Sequence, residues 1–331
     1  MKKIELVPLL LLSIILIPGY VSASNASMSQ AIAVRSMHQI SDTDTDLSGI
    51  TVGIYESYFS YVDPRVNESR KALENMFTWM NATVIKFNTT ELLNGAIWGC
   101  ELLAIPEGLG PTIEYRLTDD GIELIRDWVA LGGSYIGVRG SAAIAVRDSY
   151  FELSNTTFNL ALINGTSIEV TDLPDEVMTN VSINHGCAGP DLSDMPANLS
   201  VLFETGRYFV PDEDQEVLVI ANYTHSNLPA MIAAEYGEGN LFISSPHFEY
   251  EENSDRDGTD YMDSFDDPDS EWPLLQQISC WLIDNSPTVR NTTWGTTDTL
   301  TDSEIPTAVI IGSVGVLAIL IIVIIAKKRA A

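Results

Sequence analysis

Between residues 50 and 138, short β-branched runs alternate with longer segments of helical spacing. Ile50-Thr51-Val52-Gly53-Ile54-Tyr55 predicts a first strand, Thr83 to Phe87 a second, Leu102 to Ile105 a third and Ser134 to Val138 a fourth. Pro64 to Met80 places Val66, Leu73, Met76 and Phe77 on one side of a helix, and Thr90 to Trp98 reads as a short helix. A further helix is expected to start at Thr118, with Asp119 and Asp120 in its first turn, a buried stripe of Ile122, Ile125 and Val129, and a stop at Gly132-Gly133. The second half is richer in strands: Val217 to Ala221, Ala230 to Tyr236 and Leu241 to Ser245, the last two joined by Gly237-Glu238-Gly239. Trp272 to Ile283 reads as a closing helix, and there is no internal repeat.

Two apolar runs stand outside this pattern. Met1-Lys2-Lys3 precedes Leu9 to Ile17, then Pro18-Gly19 and the small residues Val21-Ser22-Ala23, the layout of a cleavable secretory signal over residues 1–23. An uncleaved anchor helix is the alternative, which Pro8, Pro18 and the shortness of the run disfavour. Ile305 to Ala326 is 22 residues without a charge, followed by Lys327-Lys328-Arg329. At helical rise it spans roughly 33 Å, enough for the hydrocarbon core. The trailing cations predict a cytoplasmic tail at 327–331 and an ectodomain outside a cell membrane crossed once. Between the ends lie a polar lead-in (24–48), a folded region (49–284) and a Thr-rich stalk (285–304). The expected class is α/β: a flavodoxin-like, mostly parallel sheet with helices on both faces, a strand-rich second half and one C-terminal transmembrane helix.

Composition sharpens the placement. Asn-x-Ser/Thr starts at Asn25, Asn67, Asn81, Asn88, Asn155, Asn164, Asn180, Asn198, Asn222 and Asn291. Chance predicts on the order of three such triplets, so N-glycosylation of an exterior surface is expected. The chain carries 17 Lys+Arg against 46 Asp+Glu, a net charge of −29. Nucleic acid is excluded as a partner, because phosphate binding needs a basic footprint. From Ser24 to Glu304 the balance is 45 acids to 12 bases, with Lys71 and Lys86 the only lysines, a surface suited to high salt or divalent cations. Cys100, Cys187 and Cys280 allow at most one internal disulfide, and Cys100 reads as a small buried hydrophobe.

Ligands in parallel sheets bind at the carboxyl ends of the strands, here Glu56-Ser57, Pro106-Glu107-Gly108, Arg139-Gly140-Ser141 and Ser245-Pro246-His247-Phe248-Glu249. Three segments in order carry a resemblance: Leu102-Leu-Ala-Ile-Pro-Glu-Gly108 with Gly132-Gly-Ser-Tyr-Ile-Gly-Val-Arg-Gly140; His185-Gly-Cys-Ala-Gly-Pro190; and Gly206-Arg-Tyr-Phe209 leading to His247-Phe-Glu249. Over roughly residues 50–283 the chain resembles class I glutamine amidotransferase-like domains, most of all the branch named after the biotin-protein ligase N-terminal domain. No ligase domain or Gly-rich nucleotide loop accompanies it, and no cofactor is expected. The resemblance implies a Cys nucleophile on a strand-to-helix turn, completed by a His and a Glu. His247 and Glu249 match the last two, but the nucleophile position is Arg139.

A guanidinium stays protonated and cannot attack a carbonyl. Loss of a triad nucleophile typically costs on the order of 10⁶ in kcat. The expected function is therefore a ligand-binding or interaction module for a small molecule or envelope component, with Arg139, Gly140, Ser141, Glu107 and Gly108 as an anion or carboxylate site. The bland counterpart is an ion pair of Arg139 with Glu107, Glu56 or Glu249. The competing class is an exported hydrolase of C–N bonds that uses His247 and Glu249 with Ser141 or Cys187. The acidic loop through Asp255, Asp257 and Asp260 has oxygen ligands around a Gly turn but not the EF-hand spacing, so it is a weak Ca²⁺ candidate beside a solvated loop.

Overall fold

Three of the four apolar runs of the first half become strands that bury both of their faces, and the other, at the sheet edge, buries only Phe87. β1 (Thr51–Tyr55), β2 (Thr83–Phe87), β3 (Leu102–Ile105) and β4 (Ser134–Val138) are the four expected strands. The computed structural model describes residues 46–56, 64–151, 154–251, 254–267 and 269–286. Residues 1–23, nearly all of the lead-in, the 305–326 run and the sequons at Asn25 and Asn291 lie outside them. Among the described residues no helix is long and apolar enough to cross a membrane.

The other elements are α1 (Pro64–Trp79), α2 (Thr89–Leu93), α3 (Gly110–Ala130), α4 (Gly140–Ile144), β5 (Val146–Phe151), β6 (Ser154–Thr157), β7 (Ile163–Glu169), β8 (Glu176–Ile183), β9 (Asn198–Glu204), β10 (Arg207–Pro211), β11 (Leu218–Tyr223), β12 (Pro229–Tyr236), β13 (Gly239–Ser244) and α5 (Trp272–Asp284). The main sheet runs β2-β1-β3-β4-β13-β12-β11-β8-β9. Neighbours from β2 to β13 pair parallel; from β13 to β9 they pair antiparallel. The expectation of a mostly parallel sheet therefore holds only for its first five strands. A second sheet, β10-β7-β5-β6, is not hydrogen-bonded into the main ladder but packs β10 against β12.

The two-residue period of the strands sorts side chains between two cores. Val52, Ile54, Leu102, Ala104, Ile136, Val138 and Phe242 pack under α1 and α5. Tyr55, Leu103, Ile105, Tyr135, Leu241 and Ile243 face α2, α3 and α4 on the other side. Helices thus cover both faces, as expected. Leu47, placed in the polar lead-in by its neighbours, is buried, and its N–H donates to Met80 O at 2.7 Å.

Two local departures have clear causes. The helix expected from Thr118 is the second part of α3, which begins earlier, at Gly110. Thr118 has φ 65°, ψ 163° and its Oγ1 accepts from Gly121 N at 3.4 Å, so it caps the second segment inside the element. The expected helix at Thr90 to Trp98 is broken by Gly95 at φ 92°, and a 3₁₀ turn follows over Ala96–Gly99.

None of the eight described sequon asparagines is buried. Asn81, Asn155, Asn164, Asn180 and Asn198 are exposed, and Asn67, Asn88 and Asn222 half-buried.

The bend after β4 requires glycine at one place. A Cβ on Gly140 would lie 1.5 Å from Gly108 O, whereas one on Gly99 would meet nothing within 4 Å. Gly140→Ala should lower stability by about 3–5 kcal/mol or prevent folding, while Gly99→Ala stays near neutral. Urea unfolding of the full chain reads both; equal effects would contradict the close approach.

Candidate functional site

The carboxyl ends of β3, β4 and β13 bring Glu107, Arg139 and His247 together, as the parallel arrangement predicts. Arg139 sits at the sharp turn between β4 and α4, with φ 53° and ψ −105°. A non-glycine residue in this region stores on the order of 1–3 kcal/mol and needs support from its surroundings. That support is visible. Arg139 N donates to Ser244 O at 2.8 Å, and its carbonyl accepts from Ala143 N at 2.9 Å. Ser141 Oγ accepts from Val138 N at 2.8 Å and lies 2.6 Å from Ile105 O. Tyr135 donates its hydroxyl to Ser141 O at 2.8 Å.

The Arg139 side chain is fully committed. Nε donates to the Glu204 carbonyl at 2.7 Å, Nη1 to Glu107 Oε2 at 2.7 Å and Nη2 to Thr205 Oγ1 at 2.5 Å. Nη2 also lies 3.2 Å from Glu204 Oε1. Glu204 in turn accepts from Arg65 and, at 2.7 Å, from the Tyr261 hydroxyl. His247 is buried beside this group. Its Nδ1 lies 3.1 Å from Glu249 Oε1, and its Nε2 lies 3.6 Å from Glu107 Oε2 and 3.7 Å from Glu204 Oε2. Ser69 donates to Glu249 Oε1 at 2.7 Å and accepts from Glu107 N at 3.1 Å, linking two of the carboxylates.

Three buried carboxylates thus surround a guanidinium and an imidazole. Burial opposes charge on His247, but Glu249, Glu204 and Glu107 outweigh it and push its pKa up to about 10. Burial likewise opposes ionisation of Glu204 and Glu249, yet His247, with Arg139 beside Glu204 and Ser69 beside Glu249, holds both carboxyls below their usual range. At Glu107 burial wins, and its carboxyl lies above the ordinary value despite His247 and Arg139. An imidazolium that keeps its proton through neutral pH is no general base.

These contacts correct several expectations. Arg139 is not an open anion site, because every nitrogen of its fork already meets an acceptor within the protein. Its partners are Glu107 and Glu204; Glu56 pairs instead with Arg70, and Glu249 with His247. Gly108 and Gly140 press on each other, with the Gly108 carbonyl against the Cα of Gly140. Ser141 is buried and braces the turn, so it is no substitute nucleophile. Cys187 lies in the turn after β8, where its Sγ accepts from Gly189 N at 3.4 Å, and Gly189 packs against Leu218 and Trp281 rather than the His247 cluster. Cys100 is buried as expected, which pushes its thiol up to about 12, and all three cysteines are free.

The acidic loop does not gather ligands. Asp255 and Asp260 are exposed, whereas Asp257 is buried with its oxygens accepting from Glu251 N at 3.1 Å and Thr259 N at 2.9 Å. Among the described residues, the group with converging metal-ligand atoms is Glu107, Glu204 and His247, within 4.8 Å of one another. A dication there would sit against the guanidinium that already holds both carboxylates, an arrangement Coulomb repulsion disfavours. Sequence reasoning missed Glu204, Thr205, Arg65, Ser69 and Tyr261. The one local signal was the position of Glu204 and Thr205 directly before Gly206-Arg-Tyr-Phe209.

No family model matches the chain, and no curated protein matches it. Solved structures with similar folds include a putative ThuA-like protein from Bacteroides uniformis (10% identity, 69% of this chain and 89% of that one, TM-score 0.46). A glutamine amidotransferase is similar over 70% of this chain and 98% of its own, at 15% identity and TM-score 0.47. A β-galactosidase from Bacillus circulans matches 71% of this chain and 31% of its own, at 14% identity and TM-score 0.43. These likenesses concern the fold; the reading of the site rests on its own residues.

The charge on His247 makes stability depend on pH with a definite sign. A histidine whose pKa rises from 6.5 to about 10 on folding contributes fully below 6.5 and loses that contribution as pH climbs toward 10. Glu204 and Glu249, with lowered values, act in the opposite sense and lose theirs as pH falls below the usual carboxylate range. Unfolding free energy should therefore decline above pH 6.5, by about 2–4 kcal/mol in total. Urea titrations of the full chain should show the decline already before the buried cysteines and tyrosines titrate, and a shallower slope above pH 6.5 in His247→Gln, where the raised Glu107 carboxyl still acts in the same sense. A native profile flat from neutral pH upward would contradict the assignment.

Proposed function

We propose that the chain is a membrane-anchored, extracytoplasmic protein whose glutamine amidotransferase-like domain, of the biotin-protein ligase N-terminal branch, has exchanged catalysis for a role as an interaction module. The observation that carries the reading is Arg139 at the strand-to-helix turn with its whole guanidinium engaged by Glu107, Glu204 and Thr205. The residue at the turn has no lone pair to attack with, and the neighbouring imidazole already carries its proton. Neither Ser141 nor Cys187 is placed to replace the missing thiol. Anchoring and orientation are supported by the 305–326 run with its trailing Lys327-Lys328-Arg329, and exterior placement by the leader at 1–23. The surface position of Asn67, Asn81, Asn88, Asn155, Asn164, Asn180, Asn198 and Asn222 suits glycan attachment.

Two measurements on the full chain in detergent test this. Incubation with glutamine should release no ammonia, and thiol- or serine-directed probes should give no labelling that depends on His247. Ammonia release, or labelling lost in His247→Ala, would overturn the non-catalytic reading. Peptide mass mapping of protein from its native host should find glycans on several of the sequons; unmodified asparagine at all of them would overturn the exterior placement.

A further inference from the structure

Two arginines adjoin at this end of the sheet and they are treated in opposite ways. Arg139 has an acceptor for every nitrogen. Arg207, at the start of β10, has none: its guanidinium makes no hydrogen bond or ion pair among the described residues, and its Nε is buried without a partner. It is nevertheless held in place. The guanidinium stacks on the Phe151 ring at 4.6 Å. Its backbone is pinned, with N donating to Ser245 Oγ at 2.5 Å and O accepting from the Tyr223 hydroxyl at 3.0 Å. Glu169 stands opposite in the strand register and acts on it only at a distance, without a salt bridge.

Among the described residues, Arg126, also half-buried without a carboxylate against it, donates to three carbonyls, whereas the Arg207 guanidinium has no such acceptor, and that calls for a cause. Burial and then the charge of Arg139 pull its pKa down to about 10, with Glu169 and Tyr223 acting in the opposite sense. The orientation is set by an aromatic face, which leaves the planar fork open. Such a fork matches two oxygens of one oxyanion, and a singly charged one meets the least repulsion from the acidic surface around it.

We propose that Arg207, stacked on Phe151 beside the closed Arg139 network, is a binding site for the carboxylate of a small organic acid. The inference goes beyond the non-catalytic reading and stands on a different residue, so either can fail without the other.

Acetate and inorganic phosphate serve as probes, with chloride at equal ionic strength as the reference. For the full chain in detergent, acetate should raise Tm with a saturable dependence. The rise should vanish in Arg207→Gln and shrink in Arg207→Lys, which keeps the charge but loses the fork and the ring stack. An equal rise in both variants, or none in the native chain, would overturn the proposal. A rise with phosphate alone would overturn the carboxylate assignment. Should Arg207→Gln fail to fold, Arg207→Lys decides: an acetate response as large as the native one contradicts the site.

Discussion

One guanidinium sets the character of the site. Arg139 is held at the turn after β4, where its side chain meets the carboxylate that follows β3 and the one that ends β9. Burying Glu107, Glu204 and Glu249 in one small volume would be prohibitive for like charges alone. The guanidinium and the His247 imidazolium make it possible, with Arg65, Ser69 and Tyr261 completing the acceptors at the margin. The same contacts that stabilise the cluster keep a proton on His247 and occupy every nitrogen of the Arg139 fork. The histidine is charged for a related reason: Glu249, Glu204 and Glu107 face it from one small volume.

The backbone cooperates with that arrangement. The turn keeps the strained conformation at Arg139 because Ser141 braces Val138 and Ile105, and because Gly140 lets the β3 loop approach within contact distance. Such a turn would present a nucleophile outward to a substrate. Here it presents a cation inward to Glu107 and Glu204. The turn is thus a structural knot linking β3, β4, β9 and β13, with Ser69 of α1 tied in through Glu107 and Glu249.

What the sequence made legible follows from the physics of each segment. β1, β3, β4, β12 and β13 announce themselves as apolar runs because both of their faces are buried, and β2 is read from its β-branched run although it lies half-exposed at the sheet edge. Helix α5 is equally plain from Trp272 onward. The stretch from Val146 to Pro211 was silent, although it holds six strands. Ser154–Thr157 is largely exposed and polar, and Glu176–Ile183 carries half-buried and exposed residues between Thr179, Val181 and Ile183. In the site, Glu107, Arg139, His247 and Glu249 were legible because each sits in a recognisable strand-end segment. Glu204 was not, since its partners Arg139, Arg65 and Tyr261 are 57 or more residues away in sequence and only the completed sheet brings them together. Ser141 was misjudged for a related reason: its hydroxyl's role as a turn brace depends on Ile105, a residue of another strand.

The central claim is energetic, so a double-mutant cycle tests it most directly. Arg139→Met, Glu107→Gln and the double variant would be compared with the native chain by urea unfolding near pH 6. Each single change should be strongly destabilising, and the double variant should recover part of the loss, with a coupling of about 1.5–3 kcal/mol. Losses that add to within about 0.5 kcal/mol would contradict it, because they would mean that the cation and the carboxylate do not depend on each other.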